Sequence, residues 1–115
     1  MKLIEIVKQL EADIHTVKNQ MDIDICSACG SDLMSDVMAF SKENALLLTG
    51  LINAQVIRTA EMMDIKVIVF VRGKKPQTNM IQLANDKGIA LLSTEHPMFV
   101  ACGKLYQCGL VGRGV

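Results

Sequence analysis

Aromatic side chains are scarce in this 115-residue chain: three Phe, one Tyr and no Trp. Exposed rings are the platforms on which single-stranded nucleic acids stack, so their scarcity argues against such a module. Carbohydrate sites use rings in the same way. Neither sign of charge is in excess, with 12 basic and 12 acidic side chains. A general nucleic-acid or polybasic membrane binder needs a cationic surplus that is missing here. Long apolar runs are also missing. The longest, residues 67–71, falls far short of the roughly 18 residues of a membrane span. Charge arrives at Lys2 and Glu5, too early for a signal peptide. The expectation is a cytoplasmic protein with no nucleic-acid or membrane partner.

Several catalytic devices are absent as well. A Walker A loop needs Gly, four residues, then Gly-Lys-Ser/Thr, so that backbone amides wrap the phosphates. The Gly-Lys pairs are Gly73-Lys74 and Gly103-Lys104. Neither has a glycine five positions before its own, and neither is followed by Ser or Thr. No Gly-x-Gly-x-x-Gly, Gly-x-Ser-x-Gly or His-Glu-x-x-His string occurs, which removes support for dinucleotide, serine-hydrolase and zinc-hydrolase readings. Histidine is limited to His15 and His96; both read as structural or solvated. No catalytic residue and no cofactor is expected.

What is present is an aliphatic chain. Half its residues are hydrophobic, too many for disorder, and its length suits one domain. Eight Met residues fill gaps that rings would otherwise fill. Leu3, Ile4, Val7 and Leu10 recur at helical spacing. Residues 12–17 suit a strand, residues 18–24 a polar turn, and residues 25–30 a second short strand. Ser31 or Asp32 is expected to cap a helix whose stripe is Leu33, Met34, Val37 and Met38.

From residue 45 onward the pattern repeats as strand then helix. Residues 45–48, 67–71 and 89–92 are continuous apolar runs, the mark of strands buried on both faces. Asn53 caps the helix carrying Val56, Ile57, Ala60 and Met63. Gly88 closes a helix through Met80 and Ala84, and Pro97 opens the last, to about Gln107. The expected fold is α/β: a single three-layer-like sandwich, a mainly parallel sheet flanked by helices. Residues 1–110 form the domain and residues 111–115, rich in glycine, a frayed tail.

Parallel α/β sheets bind ligands beyond the carboxyl ends of their strands. Thr49 and Gly50 there precede the helix capped by Asn53. Arg72, Gly73, Lys74 and Lys75 follow the next strand and supply cations. Ser93 and Thr94 end the third strand and add hydroxyls. These nine residues outline a pocket for a phosphate or carboxylate, the alternative being a solvated basic turn beside an ordinary cap. The Cys26-Ser27-Ala28-Cys29 spacing offers a weaker metal or redox site, or simply small residues at a strand-to-helix corner. Met34, Met38, Met62 and Met63 could form a homodimer seam.

An ordered set of segments carries a further implication. Ser31-Asp32-Leu33-Met34-Ser35-Asp36-Val37-Met38-Ala39 resembles a segment of the DRTGG domain family. Leu46-Leu47-Leu48-Thr49-Gly50 with the Asn53 helix, residues 67–73 with Pro76 and Lys87-Gly88-Ile89, Leu91-Leu92-Ser93-Thr94, and Cys102-Gly103-Lys104-Leu105-Tyr106 resemble the rest of its course. The family is similar to the N-terminal domain of HPr kinase/phosphorylase, and to modules within some phosphotransacetylases and CBS-type pyrophosphatases. The resemblance implies a regulatory or oligomerising module. Taken with the charge of the strand-end loops, the expectation is a non-enzymatic module, a homodimer, that senses an anionic metabolite or nucleotide. An alternative is a docking partner of a redox or metabolic enzyme with no ligand of its own. HPr kinase activity is not implied, because the phosphate-cradling loop is missing. The family's Asp-Arg-Thr-Gly-Gly string is also absent; its counterpart is either residues 49–53 or the Arg72-Gly73 loop, and no catalytic role transfers.

Overall fold

The computed structural model describes residues 1–17, 21–41 and 44–112. They contain five helices and five strands, alternating from β2 onward: α1 (Leu3–Leu10), β1 (Asp13–Ile14), β2 (Ser27–Gly30), α2 (Met34–Phe40), β3 (Ala45–Thr49), α3 (Ala54–Met62), β4 (Val67–Phe70), α4 (Thr78–Lys87), β5 (Ala90–Ser93) and α5 (Met98–Gln107). The strands make one sheet in the order β1-β5-β4-β3-β2. β2 to β5 are mutually parallel, and β1 joins the β5 edge antiparallel. This is the α/β sandwich with a mainly parallel sheet that the sequence predicts.

Burial on both faces explains the composition of the inner strands. Every residue of β3, β4 and β5 is buried, and all are apolar except Thr49 and Ser93, which stand at carboxyl ends. Alternate side chains leave a strand on opposite faces. Leu46, Leu48, Val67, Val69 and Leu92 therefore meet α1 and α5, through Leu3, Ile6, Leu10, Ala101 and Leu105. Leu47, Ile68, Phe70 and Leu91 meet the other layer, through Val37, Val56, Ile57, Ala60 and Met80. α2, α3 and α4 are the crossovers between strands that step one way along the sheet, and a common hand sends them all to one side. α1 and α5 are not crossovers and cover the other side.

Several local expectations are corrected. The buried stripe of α1 is Leu3, Ile6 and Leu10, with Ile4 exposed; Ile4 and Ile6 are equally apolar, and docking chooses between them. The strand expected over residues 12–17 pairs only at Asp13 and Ile14. It leaves the ladder where the Thr16 hydroxyl accepts the Leu91 N–H at 3.1 Å in place of a carbonyl. The N-cap of α2 is Leu33, with no side-chain cap, rather than Ser31 or Asp32. Asn53 does cap α3, accepting the Gln55 N–H at 3.0 Å, and Gly88 ends α4 in the left-handed region.

The tail is partly tied down. Gly109 turns the chain at φ 101°, Leu110 is buried, and Val111 bridges Ser27 and accepts the Ala28 N–H at 2.9 Å. β2 is an edge strand, and the tail pairs along its outer side. Residues 113–115 of the expected tail, and residues 18–20 of the expected turn, lie outside the described residues. Met34 is in the core and Met63 is half-buried, whereas Met38 and Met62 are exposed. The four methionines therefore form no continuous exposed seam.

Candidate functional site

The carboxyl ends of the four parallel strands deliver Asp32, Gly50, Arg72 and Thr94 or Glu95 to one edge. The turn after β4 is closed by the Lys74 N–H donating to the Val71 carbonyl at 3.2 Å. Arg72 and Gly73 inside it both have positive φ, 60° and 72°. Glycine adopts that conformation freely, while arginine adopts it at a cost of about 1–2 kcal/mol. The turn is pinned to the β5 end, where the Arg72 N–H donates to His96 O at 2.8 Å and the Gly73 N–H to Thr94 O at 2.9 Å. A side chain at Gly73 would run into the Glu95 carboxylate.

Three of the expected residues converge, and they do so on an acid. Asp32 Oδ1 accepts the Gly50 N–H at 2.6 Å and the Thr49 hydroxyl at 3.1 Å. Asp32 Oδ2 lies 3.5 Å from Arg72 Nη2. Gly50 carries no side chain where the Arg72 guanidinium lies, since a Cβ there would collide with it. A second group forms at the β1/β5 edge. Ser93 Oγ is 2.7 Å from His15 Nε2 and 3.5 Å from Lys75 Nζ, and Lys75 is 3.8 Å from Asp13. Burial, then the charge of Lys75, lower the pKa of His15, against a smaller upward pull from Asp13.

The remaining expected residues separate from these groups. The Asn53 carboxamide is used as the α3 cap. The Thr94 side chain points inward, its hydroxyl donating to Leu10 O at 2.7 Å, so it ties β5 to α1. Lys74 has no ion-pair partner among the described residues. Two of the three cations of the basic loop are paired: Asp32 faces Arg72 and Asp13 faces Lys75. From the sequence, Ser31 or Asp32 was expected to cap a helix, and His15 to be structural or solvated. Asp32 was within reach of the strand-end rule, because it follows β2 as Gly50 follows β3.

The cysteine pair lies at the start of a strand, not at a helix start. Cys29 is inside β2 and Cys26 just precedes it, with α2 beginning only at Met34. Three residues of extended chain separate two Cα atoms by roughly 10 Å, too far for a disulfide without backbone movement. Burial, and then the neighbouring Cys102, push the Cys29 thiol up, which disfavours the reactive thiolate. No group of three or more His, Cys, Asp or Glu placed to hold a metal occurs among the described residues. A cavity of about 550 Å3 opens at the opposite, amino end of β4 and β5. Its Lys66 and Lys87 are already paired, with Asp64 and Glu61 at 3.0 Å each.

No helix among the described residues is long and apolar enough to cross a membrane. No family model matches the sequence, and no curated protein matches it. One solved structure is similar over 92% of this chain, at a TM-score of 0.77 and 18% identity. It comprises the CBS and DRTGG domains of the regulatory region of a Clostridium perfringens pyrophosphatase, in complex with its activator diadenosine tetraphosphate. The present chain spans 46% of that one. The two chains share a fold, and that fold is DRTGG-like.

Proposed function

We propose that this chain is a non-enzymatic regulatory module that binds an anionic metabolite, a nucleotide or phosphorylated compound, at the carboxyl ends of β2, β3 and β4. The observation that carries the reading is the convergence of the Gly50 N–H, the Thr49 hydroxyl and the Arg72 guanidinium on one oxyanion position. Main-chain amides, hydroxyls and guanidinium groups are the donors that hold phosphoryl oxygens. Lys74 adds an exposed cation beside them. The nucleotide activator of the pyrophosphatase regulatory region supports the same class of ligand.

Thermal unfolding against a panel of nucleotides and phosphorylated metabolites tests it. A ligand at 100 times its Kd adds about 2.7 kcal/mol, a rise in Tm of roughly 10 °C for a domain of this size. The rise should vanish in an Arg72→Ala/Lys74→Ala double variant. A flat response across the panel, or a shift retained by the variant, counts against the reading.

An assembly role is the second reading, and one surface favours it. Phe99, 88% exposed, and Tyr106, 62% exposed, share the outer face of α5 with Val100. Gly103 lies between them, with nothing within 4 Å of the position a Cβ would take. A homodimer closing on this stripe would bury two of the chain's four aromatic side chains. Sedimentation should then show association that Phe99→Asp abolishes; a monomer at every concentration ends this reading.

A further inference from the structure

We propose that Asp32 is a built-in stand-in for the ligand, a tethered carboxylate that occupies the anion position and that a bound phosphoryl group displaces. The inference rests on the anion-binding reading above and adds how the site is kept closed. Oδ1 already takes the Gly50 N–H and the Thr49 hydroxyl, and Oδ2 faces Arg72. An incoming oxyanion would need the same three donors. It therefore competes with Asp32 and does not add to it.

Three features fit a displaceable occupant. First, Asp32 has no second duty in the helix that follows, since α2 is capped at Leu33 without a side-chain bond. Second, the pair is open to water: the side chains of Asp32 and Arg72 are each 50% exposed. Exposed ion pairs hold weakly and are screened by salt. Third, Arg72 is held over Gly50 by the turn, whose backbone bonds to His96 and Thr94 do not depend on Asp32. Release of the carboxylate leaves the donors in place.

The competition also selects the ligand class. The Asp32 carboxylate is present at the millimolar effective concentration of a short tether. A monocarboxylate offers the same chemistry without that advantage. A phosphoryl group brings about two charges and three acceptor oxygens, enough to exchange for one carboxylate. The predicted ligand is a phosphomonoester or the terminal phosphate of a nucleotide.

Inorganic phosphate is the direct probe, titrated into 15N-labelled wild type, Asp32→Ala, Asp32→Asn and Arg72→Ala while the Gly50 amide is followed. The spectra also report whether each variant is folded. Removing the tethered competitor should tighten phosphate binding by about tenfold or more in Asp32→Ala. Asp32→Asn should fall between Asp32→Ala and wild type, and Arg72→Ala should be the weakest. If wild type binds phosphate through Arg72 but both Asp32 variants bind it equally or more weakly, the stand-in is wrong and the anion site survives. If phosphate moves the Gly50 amide in none of the folded proteins, the anion reading falls and takes the stand-in with it.

Discussion

His15 joins the edge strand to the loop after β4 through the Ser93 hydroxyl, and its ionisation has a definite sign. Its folded pKa lies below the ordinary 6.5, first because it is partly buried and then because Lys75 is close. The unfolded chain takes up this proton first as pH falls. Between 6.5 and the folded value the unfolded state binds more protons, so stability decreases with falling pH there and levels off below it. Urea unfolding measured from about pH 7.5 to 5 should show this loss in the wild type. His15→Gln should remove that part of the slope and keep the part that belongs to carboxylates. Equal slopes in the two proteins would take His15 out of the account. Asp32 and Arg72 differ from His15 in being half exposed, so their pairing adds little to stability.

At the scale of elements, the inner strands were the most legible part of the chain. Residues 45–48, 67–71 and 89–92 carry unbroken apolar runs because both faces of β3, β4 and β5 are covered. The caps at Asn53 and Gly88 were legible because each depends on local chemistry alone. β1 was not: its length is set by a partner 75 residues away, whose Leu91 N–H the Thr16 hydroxyl accepts. The stripe of α1 was ambiguous because tertiary docking chose Ile6 over Ile4.

The site divides in the same way. Thr49, Gly50 and Arg72 were grouped by the rule of strand ends, and they do lie together around Asp32. Asp32 was weighed only beside Ser31 as a cap of the nearest helix, because a local preference of Asp for caps masked a longer-range partner, the Gly50 N–H. Thr94 was included as a surface hydroxyl, but the strand alternation that sends Leu92 toward α1 also sends Thr94 there, onto Leu10 O. Counting parity along β5 would have excluded it.

The whole molecule consists of two apolar layers on one sheet, and this makes a prediction about cooperativity. Leu48 points into the layer of α1 and α5, and Phe70 into the layer of α2, α3 and α4. They belong to strands paired in register, with Leu48 opposite Val69 and Thr49 opposite Phe70. Loss of packing on either face loosens strands on which the other face rests. Leu48→Ala should cost about 2–5 kcal/mol and Phe70→Ala about 3–5 kcal/mol. Each is a large share of the roughly 5–15 kcal/mol by which domains are stable. The single Tyr is exposed on α5 and there is no Trp, so ring fluorescence reports poorly on either core. Far-UV circular dichroism and amide exchange in sub-denaturing urea are the suitable probes. Both variants should shift one common transition, and either should lower protection in α3 and α4 as much as in α1 and α5. If Leu48→Ala exposes only the amides of α1 and α5, the layers unfold separately and the sheet does not couple them. Coupled layers would also bear on the proposed anion site, because Gly50 and Arg72 follow strands that both layers hold. A ligand gripping those strand ends would then raise exchange protection in all five helices.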